Sequence, residues 1–275
     1  MVSRADVAAA PAPPMLDVGR PAASLRGAVR TALSDLYYHS WRLVPANLVW
    51  SVVAVAVLVA LVVSPYGVVA VPFLAVPTAG LFVMTGRITR GGAVSFWDGV
   101  AAWRHELGTT LAFGGGLGLL ALVLSVNLVS GILAEGVLGW AFATLAFWGL
   151  LGTWLYAWAA WPILTDPWRS AWPARERLRL AGYLVLAHPV RLAGLGLFLL
   201  ALLVASAVAI VALLTVSVAI ASLIASRFVL PAADRLDVRL GFAARRSLPA
   251  PAEPAATDDD EETAANAADD EVIEA

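Results

Sequence analysis

Long runs of apolar residues alternate along this chain with short connections that carry its charges. The run at 46–63 has no charged residue and is close to the roughly 20 residues that cross about 30 Å of hydrocarbon. Comparable runs follow, and each is too long for an ordinary buried strand. The pattern predicts an all-α, polytopic transmembrane helical bundle with six spans, at 46–63, 68–85, 109–133, 137–164, 192–210 and 215–230.

The apolar stretch 192–230 is harder to divide. As one helix it would be roughly 58 Å long, about twice the thickness of the hydrocarbon layer, so two spans fit better. No Gly, Pro or Asn marks the reversal, and we expect the turn between Ile210 and Thr215, where β-branched residues and hydroxyls first interrupt the Leu-rich run. A single helix, and therefore five spans, is the alternative.

Two connections have apolar residues at helical spacing. Residues 24–45 place Leu25, Val29, Leu33 and Leu36 on one face, which predicts an interfacial helix lying on the membrane. The alternative is a soluble helix packed on a loop. The connection at 86–108 repeats aromatic and aliphatic residues from position 96 to 107 and predicts a second surface helix.

The arginines give the topology. With six spans, all 18 basic residues, every one an Arg, fall in the segments on one side. Five precede the first span, three lie between the second and third spans, five lie between the fourth and fifth, and five follow from Arg227 onward. Basic residues accumulate on the cytoplasmic side of membrane proteins. We therefore expect a multi-pass cell-membrane protein with both termini in the cytoplasm, since five spans would leave the last five Arg outside.

The two ends of the chain have a different composition from the membrane domain. Residues 1–23 are rich in Ala and Pro and lack the apolar run of a signal peptide, so we expect a retained, disordered arm. Residues 231–246 form a basic juxtamembrane segment, and 247–275 are acidic and poor in large apolar side chains. Such a tail should be disordered, and it adds solubility, keeps the chain off anionic lipid or binds a partner.

Composition supports the membrane assignment and excludes several chemistries. Of the residues, 60% are hydrophobic and 14% charged, with a mean hydropathy of +0.81, against about 25% charged in soluble domains. Without Lys the chain cannot form a Schiff base or a phosphate-loop contact, and without Cys it has no disulfide or thiolate chemistry.

Catalytic and metal-binding patterns are missing as well. No predicted span has an ionisable residue in its middle, where such residues usually mark function. The carboxylates at the cytoplasmic interface, Asp98, Glu106, Asp166 and Glu176, show no grouping, and the three His lie in separate segments. We therefore expect no enzyme activity, cofactor, metal or nucleic-acid partner.

Small and helix-breaking residues within the spans predict kinks and close helix contacts. Asn127 is expected to pack against another helix, because its amide needs partners in hydrocarbon, and solute contact is the alternative. The candidates for kinks or packing are Pro72, Pro77, Gly114, Gly118 and Asn127.

Several short motifs resemble those of the YesL-like family of bacterial integral membrane proteins of unknown function. They are Asn47-Leu48-Val49-Trp50, Pro77-Thr78-Ala79-Gly80-Leu81, Arg87 with Arg90-Gly91, Phe96-Trp97-Asp98 and Ala187-His188-Pro189. The resemblance implies a small multi-span protein associated with carbohydrate uptake by ATP-driven transporters, as an accessory or regulatory component. The long arm and acidic tail depart from the compact family pattern.

These observations favour a non-enzymatic accessory protein that contacts membrane lipids and docks on a transporter subunit or a sensor protein. Arg and aromatic residues suit such a docking face, although contact with lipid headgroups accounts for the same residues. The candidates are Arg87, Arg90, Trp97, Trp103, Arg175, Arg177 and Arg179. The alternative function is a transporter or channel for an uncharged small solute, with a cavity beside the kinked second span.

Overall fold

The computed structural model describes residues 24–105, 107–209 and 213–241, and these contain helices and no strand. Two 3₁₀ segments, Pro65–Leu74 and Pro167–Arg169, and a π-helical turn, Leu213–Ser217, accompany the α-helices. The α-helices are α1 (Leu25–Val63), α2 (Ala75–Thr89), α3 (Phe96–His105), α4 (Leu107–Leu133), α5 (Gly136–Leu164), α6 (Ala174–Ala187), α7 (Pro189–Val208) and α8 (Val218–Leu240).

Six helical segments are long and apolar enough to cross a membrane, so the predicted fold class is confirmed and the chain is a multi-pass integral membrane protein. The shorter helices α3 and α6 lie between spans. The candidate spans are Leu25–Val63, Tyr66–Thr89, Leu107–Leu133, Gly136–Leu164, Pro189–Val208 and Thr215–Leu240.

The first span differs from the expected surface helix followed by a separate transmembrane helix. Residues 25–63 form one continuous helix of 39 residues, with Pro45 inside it and the Ser24 side chain capping its first turn. Pro45 removes one backbone donor, which membrane helices tolerate. The boundary between 45 and 46 is therefore not a break in the helix.

The second span changes its helix type halfway along. Residues 65–74, with Pro72 among them, form a 3₁₀ helix, and α2 begins at Ala75, so Pro77 lies in the first turn of α2. A proline costs least in a first turn, because the missing N–H would have no partner one turn earlier in the same α-helix. The two prolines thus lie on either side of the change from 3₁₀ to α.

A tight turn joins α4 to α5. Glu135 and Gly136 both have positive φ angles, of 47° and 80°, which reverse the chain in two residues. Close to this turn the helices nearly touch, since a Cβ built on Gly131 would lie 2.7 Å from the carbonyl oxygen of Gly139. Glycine at both positions permits this approach.

The stretch 192–230 forms two helices, as expected, and residues 210–212 of the predicted turn lie outside the described part of the chain. The last helix does not end near position 230, because α8 continues through Pro231 to Leu240 and takes up much of the predicted juxtamembrane segment. Residues 1–23 and 242–275, which include the predicted arm and acidic tail, also lie outside. Asp237–Ala275 form a unit separate from the preceding residues.

Candidate functional site

Four charged side chains from distant parts of the chain form a buried ion cluster. Arg90 follows α2, Asp166 caps the 3₁₀ turn after α5, Arg169 ends that turn, and Asp234 lies on α8. Their side chains are between 0% and 9% exposed. We call Arg90, Asp166, Arg169 and Asp234 the ion cluster.

Each guanidinium in the ion cluster bridges both carboxylates. Arg90 Nη2 lies 2.6 Å from Asp166 Oδ2 and Arg90 Nη1 lies 2.6 Å from Asp234 Oδ2. Arg169 Nη2 lies 2.6 Å from Asp234 Oδ1, and Arg169 Nη1 donates to Asp166 Oδ2. Two positive and two negative charges therefore balance inside the protein, which burial of charge requires.

Tryptophans cover the two guanidinium groups. The Arg90 guanidinium lies 3.9 Å from the centre of the Trp168 ring, and that of Arg169 lies 5.4 Å from the centre of the Trp172 ring. Burial alone would lower the pKa of Arg90, but its hydrogen bonds to Asp234 and Asp166 raise that pKa above its ordinary value. Arg90 therefore stays charged at any physiological pH.

The carboxylates of the ion cluster have little capacity left for chemistry. Asp166 Oδ1 accepts from Arg90 Nε and from the Trp168 backbone N–H, and its Oδ2 accepts from both arginines. Both oxygens of Asp234 also accept from guanidinium groups. A general base needs a free carboxylate oxygen within reach of its substrate, so the geometry suits a structural link better than acid–base catalysis.

Further polar contacts near the end of α2 join the first, second and last spans. Arg227 Nε lies 2.7 Å from Asp35 Oδ2, and Arg227 also donates to the carbonyl of Thr89 at the end of α2. The hydroxyls of Thr85 and Ser226 are 3.1 Å apart and buried. The Arg227 charge, although midway along α8, therefore lies level with the end of the second span.

The predicted docking residues do not form one exposed face. Arg90 and Arg177 are corrections to that expectation, because Arg90 is buried in the ion cluster and Arg177, 5% exposed, donates to the carbonyl oxygen of Leu164. A buried guanidinium cannot meet a partner or a lipid headgroup. Arg175 and Arg179 are exposed on α6.

The remaining docking candidates lie near α3. Trp97 is 70% exposed, whereas Trp103 is half-buried against Gly80 of α2. Arg87 pairs with Asp98 at 2.8 Å, and both side chains are partly exposed. Asp98 and Asp166 therefore each have arginine partners, which the sequence did not predict.

The residues expected to pack within the spans divide into two groups. A Cβ on Gly114 would lie 2.2 Å from the Ala75 Cβ, and one on Gly118 would lie 3.3 Å from Val71, so both glycines lie at the contact with the second span. Asn127 is exposed on α4, which corrects its expected role in helix packing.

Two hydrogen bonds between spans, one buried and one partly buried, were not predicted from the sequence. The Asn47 side chain accepts a hydrogen bond from the backbone N–H of Ala219 at 2.8 Å, just after the π turn. Trp50 Nε1 donates to the Thr78 hydroxyl at 2.9 Å and so joins the first span to the second. Asn47 and Trp50 both belong to one of the family-like motifs, and this was the signal in the sequence that could have pointed to the two hydrogen bonds.

A cleft of about 460 Å³ opens between the second span, α4 and α5. We call it the membrane cleft, because all three of its walls are candidate spans. Its lining is largely apolar and includes Leu74, Leu117, Ala121, Ala157 and Trp161. It lies beside the helix change of the second span, where the alternative function places a cavity.

Within the described residues, no group of three or more His, Asp or Glu could hold a metal ion. Comparison of the chain with protein-family models, with curated proteins and with solved structures found no match. The fold and its polar contacts therefore define the class, a six-span helical membrane protein, and carry the functional argument.

Proposed function

We propose that this integral membrane protein is a non-enzymatic accessory or regulatory component of bacterial solute uptake, carbohydrate uptake included, and that it is related to the YesL-like proteins. Its partner is a subunit of an ATP-driven transporter or a sensor protein. The resemblance of its motifs to those proteins supports a role in solute uptake. The arrangement of α6 supports action by docking on a partner protein.

The observation that carries the proposal is the attachment of α6 to the membrane domain. Arg177 on the inner face of α6 donates to the last carbonyl of α5, Leu164, while Arg175 and Arg179 on the same helix are exposed. The helix is thus anchored at one face and presents Arg175 and Arg179 outward, together with the exposed Glu176. Arg is enriched at protein interfaces, because its planar guanidinium makes several hydrogen bonds at once.

The ion cluster supports a docking role rather than catalysis. It links the ends of the second and fourth spans to α8, and its carboxylate oxygens are occupied by guanidinium groups. A surface held by a rigid base loses less conformational entropy when a partner binds. The acidic tail and the arm add solubility or further contacts.

Affinity purification in mild detergent tests this proposal. The wild-type chain should recover a transporter subunit or a sensor protein, and the double variant Arg175→Ala/Arg179→Ala should recover much less. The matched control is Arg26→Ala/Arg30→Ala, which removes two exposed arginines from α1 and should leave recovery unchanged. Recovery of lipid alone, or equal recovery by both variants, would contradict a docking face on α6.

A second candidate function is a carrier or channel for an uncharged small solute. The membrane cleft favours it, because the cleft adjoins the 3₁₀ half of the second span, whose weaker hydrogen bonding eases rearrangement. Pro77→Ala should then reduce solute flux into proteoliposomes. Wild-type vesicles without flux above protein-free vesicles would count against this candidate.

A further inference from the structure

The membrane cleft is large enough to hold a ligand and lies among membrane-spanning helices. Its volume of about 460 Å³ falls within the roughly 300–1,000 Å³ that is usual for ligand sites. Leu74 lines the wall formed by the second span, Leu117 lines that of α4, and Trp161 lines that of α5.

The polar atoms in the cleft wall already have protein partners. The Thr78 hydroxyl donates to the carbonyl of Leu74 at 2.7 Å and accepts from Trp50 Nε1 at 2.9 Å. The Thr153 hydroxyl donates to the carbonyl of Gly149 at 2.8 Å, and Trp154 Nε1 donates to that of Gly196 at 3.1 Å. These hydroxyl and indole groups therefore already donate hydrogen bonds within the protein.

This lining discriminates between ligand classes. A sugar or another hydroxylated solute would leave water and find few partners, and each unmet hydrogen bond would weaken its binding. None of the described residues around the cleft is charged, so it offers no ion pair to an ionic solute. A hydrocarbon chain needs neither kind of contact and gains from close packing.

The surroundings of the cleft indicate where its occupant comes from. All three walls are candidate spans, so the bilayer itself supplies hydrocarbon chains to the cleft. A flexible chain of methylene groups can follow an irregular apolar wall. A helix from a second copy would also meet apolar side chains here, and the dimer that it would form is an outcome of the test below.

We infer that the membrane cleft is a binding site for one hydrocarbon chain of a membrane lipid, held between the second span, α4 and α5. The site is independent of docking through α6. Under the second candidate function, a site for a hydrocarbon chain narrows the class of transported ligand from uncharged solutes in general to apolar chains.

Native mass spectrometry of the full-length chain tests the inference, with palmitoyl-oleoyl phosphatidylglycerol as the probe. After detergent exchange has removed loosely bound lipid, the wild-type chain should retain one lipid molecule. Ala157→Leu fills the cleft and should lower the retained fraction at least about fivefold, the equivalent of a packing penalty near 1 kcal/mol. Ala121→Leu fills the cleft from the opposite wall and should have the same effect. Poor folding of one variant would not explain a loss of lipid that both variants share.

Two controls distinguish a lipid chain in the cleft from lipid bound elsewhere on the protein and from a hydroxylated ligand. Ala141→Leu makes the same change at an exposed position of α5 and should retain lipid as the wild type does. Thr153→Val removes a hydroxyl from the cleft and should leave retention of a hydrocarbon chain unchanged, whereas a hydroxylated ligand would be lost. Equal retention in Ala157→Leu and Ala141→Leu, no retained lipid in the wild type, or a dimer that Ala157→Leu dissociates would overturn the inference. None of these variants changes α6, so failure here leaves the docking proposal standing.

Discussion

At the scale of single residues, the ion cluster is the feature where loss of one side chain should lower the free energy of unfolding most. Two guanidinium and two carboxylate groups are almost fully buried, and their opposite charges compensate one another. A buried ion pair contributes little net stability as a whole, because desolvation offsets its attraction, but removal of one partner leaves an uncompensated charge. The cluster therefore makes the position of Asp166 very sensitive to substitution.

We expect Asp166→Asn to destabilise the protein by about 3–5 kcal/mol, because it leaves two buried arginines with one carboxylate. The loss can be measured by circular dichroism as dodecyl sulfate replaces a mild detergent.

The matched control for Asp166→Asn is Asp98→Asn. Asp98 pairs with Arg87, but their side chains are 27% and 40% exposed, so the change should cost roughly 0–1 kcal/mol. Equal losses in the two variants would show that the ion cluster does not hold the spans together.

At the scale of elements, close approach of helices depends on particular glycines. Besides Gly114 and Gly118, the structure brings Gly131 of α4 against Gly139 and Ala143 of α5. Among the glycines of α4, Gly131 comes closest to α5, and it lies beside the turn that joins them. The glycine-rich sequence of α4 predicts helix contact in general, but only the helix crossing selects the residue that makes it.

Gly131→Ala should push the two helices apart and destabilise the hairpin by about 1–3 kcal/mol, because the new methyl group would meet backbone atoms that cannot rotate away. The same detergent titration measures this loss. Gly116→Ala, on the same helix but with open space around it, should be neutral or stabilising by about 0.5–1 kcal/mol. If Gly116→Ala is as damaging as Gly131→Ala, close contact between α4 and α5 does not explain the loss.

At the scale of the whole molecule, the two ends of the bundle differ in charge. The ion cluster, Arg227 and the exposed arginines of α6 lie near the ends of the second and fourth spans, whereas the α4–α5 turn has Glu135 and no Arg. The positive-inside pattern predicts that the arginine-rich end lies in the cytoplasm.

Single-cysteine labelling can test this orientation directly, because the chain has no cysteine of its own. A membrane-impermeant maleimide should label Glu135→Cys in intact cells, and should label Arg175→Cys only after the cells are permeabilised. Both positions are exposed. Labelling of Arg175→Cys in intact cells would reverse the topology and move the docking face to the exterior.

The sequence by itself determined the all-α class and the six spans, because the length of an apolar run and the absence of charge decide whether a helix can cross a bilayer. These are local properties. The same reasoning misplaced the ends of the first and last helices, because the prolines at 45 and 231, which favour a helix end, lie inside continuous helices here.

Only the tertiary structure decided which charged residues are buried and which are exposed. Arg90 and Arg177 look like surface arginines in the sequence, and Asp166 and Asp234 are 76 and 144 positions from Arg90, so no local spacing joins them. The helices end together at one side of the bundle, and there the low dielectric constant makes each charge depend on its neighbours. The membrane cleft arises in the same way, from the packing of three spans, because a cavity belongs to no single stretch of sequence.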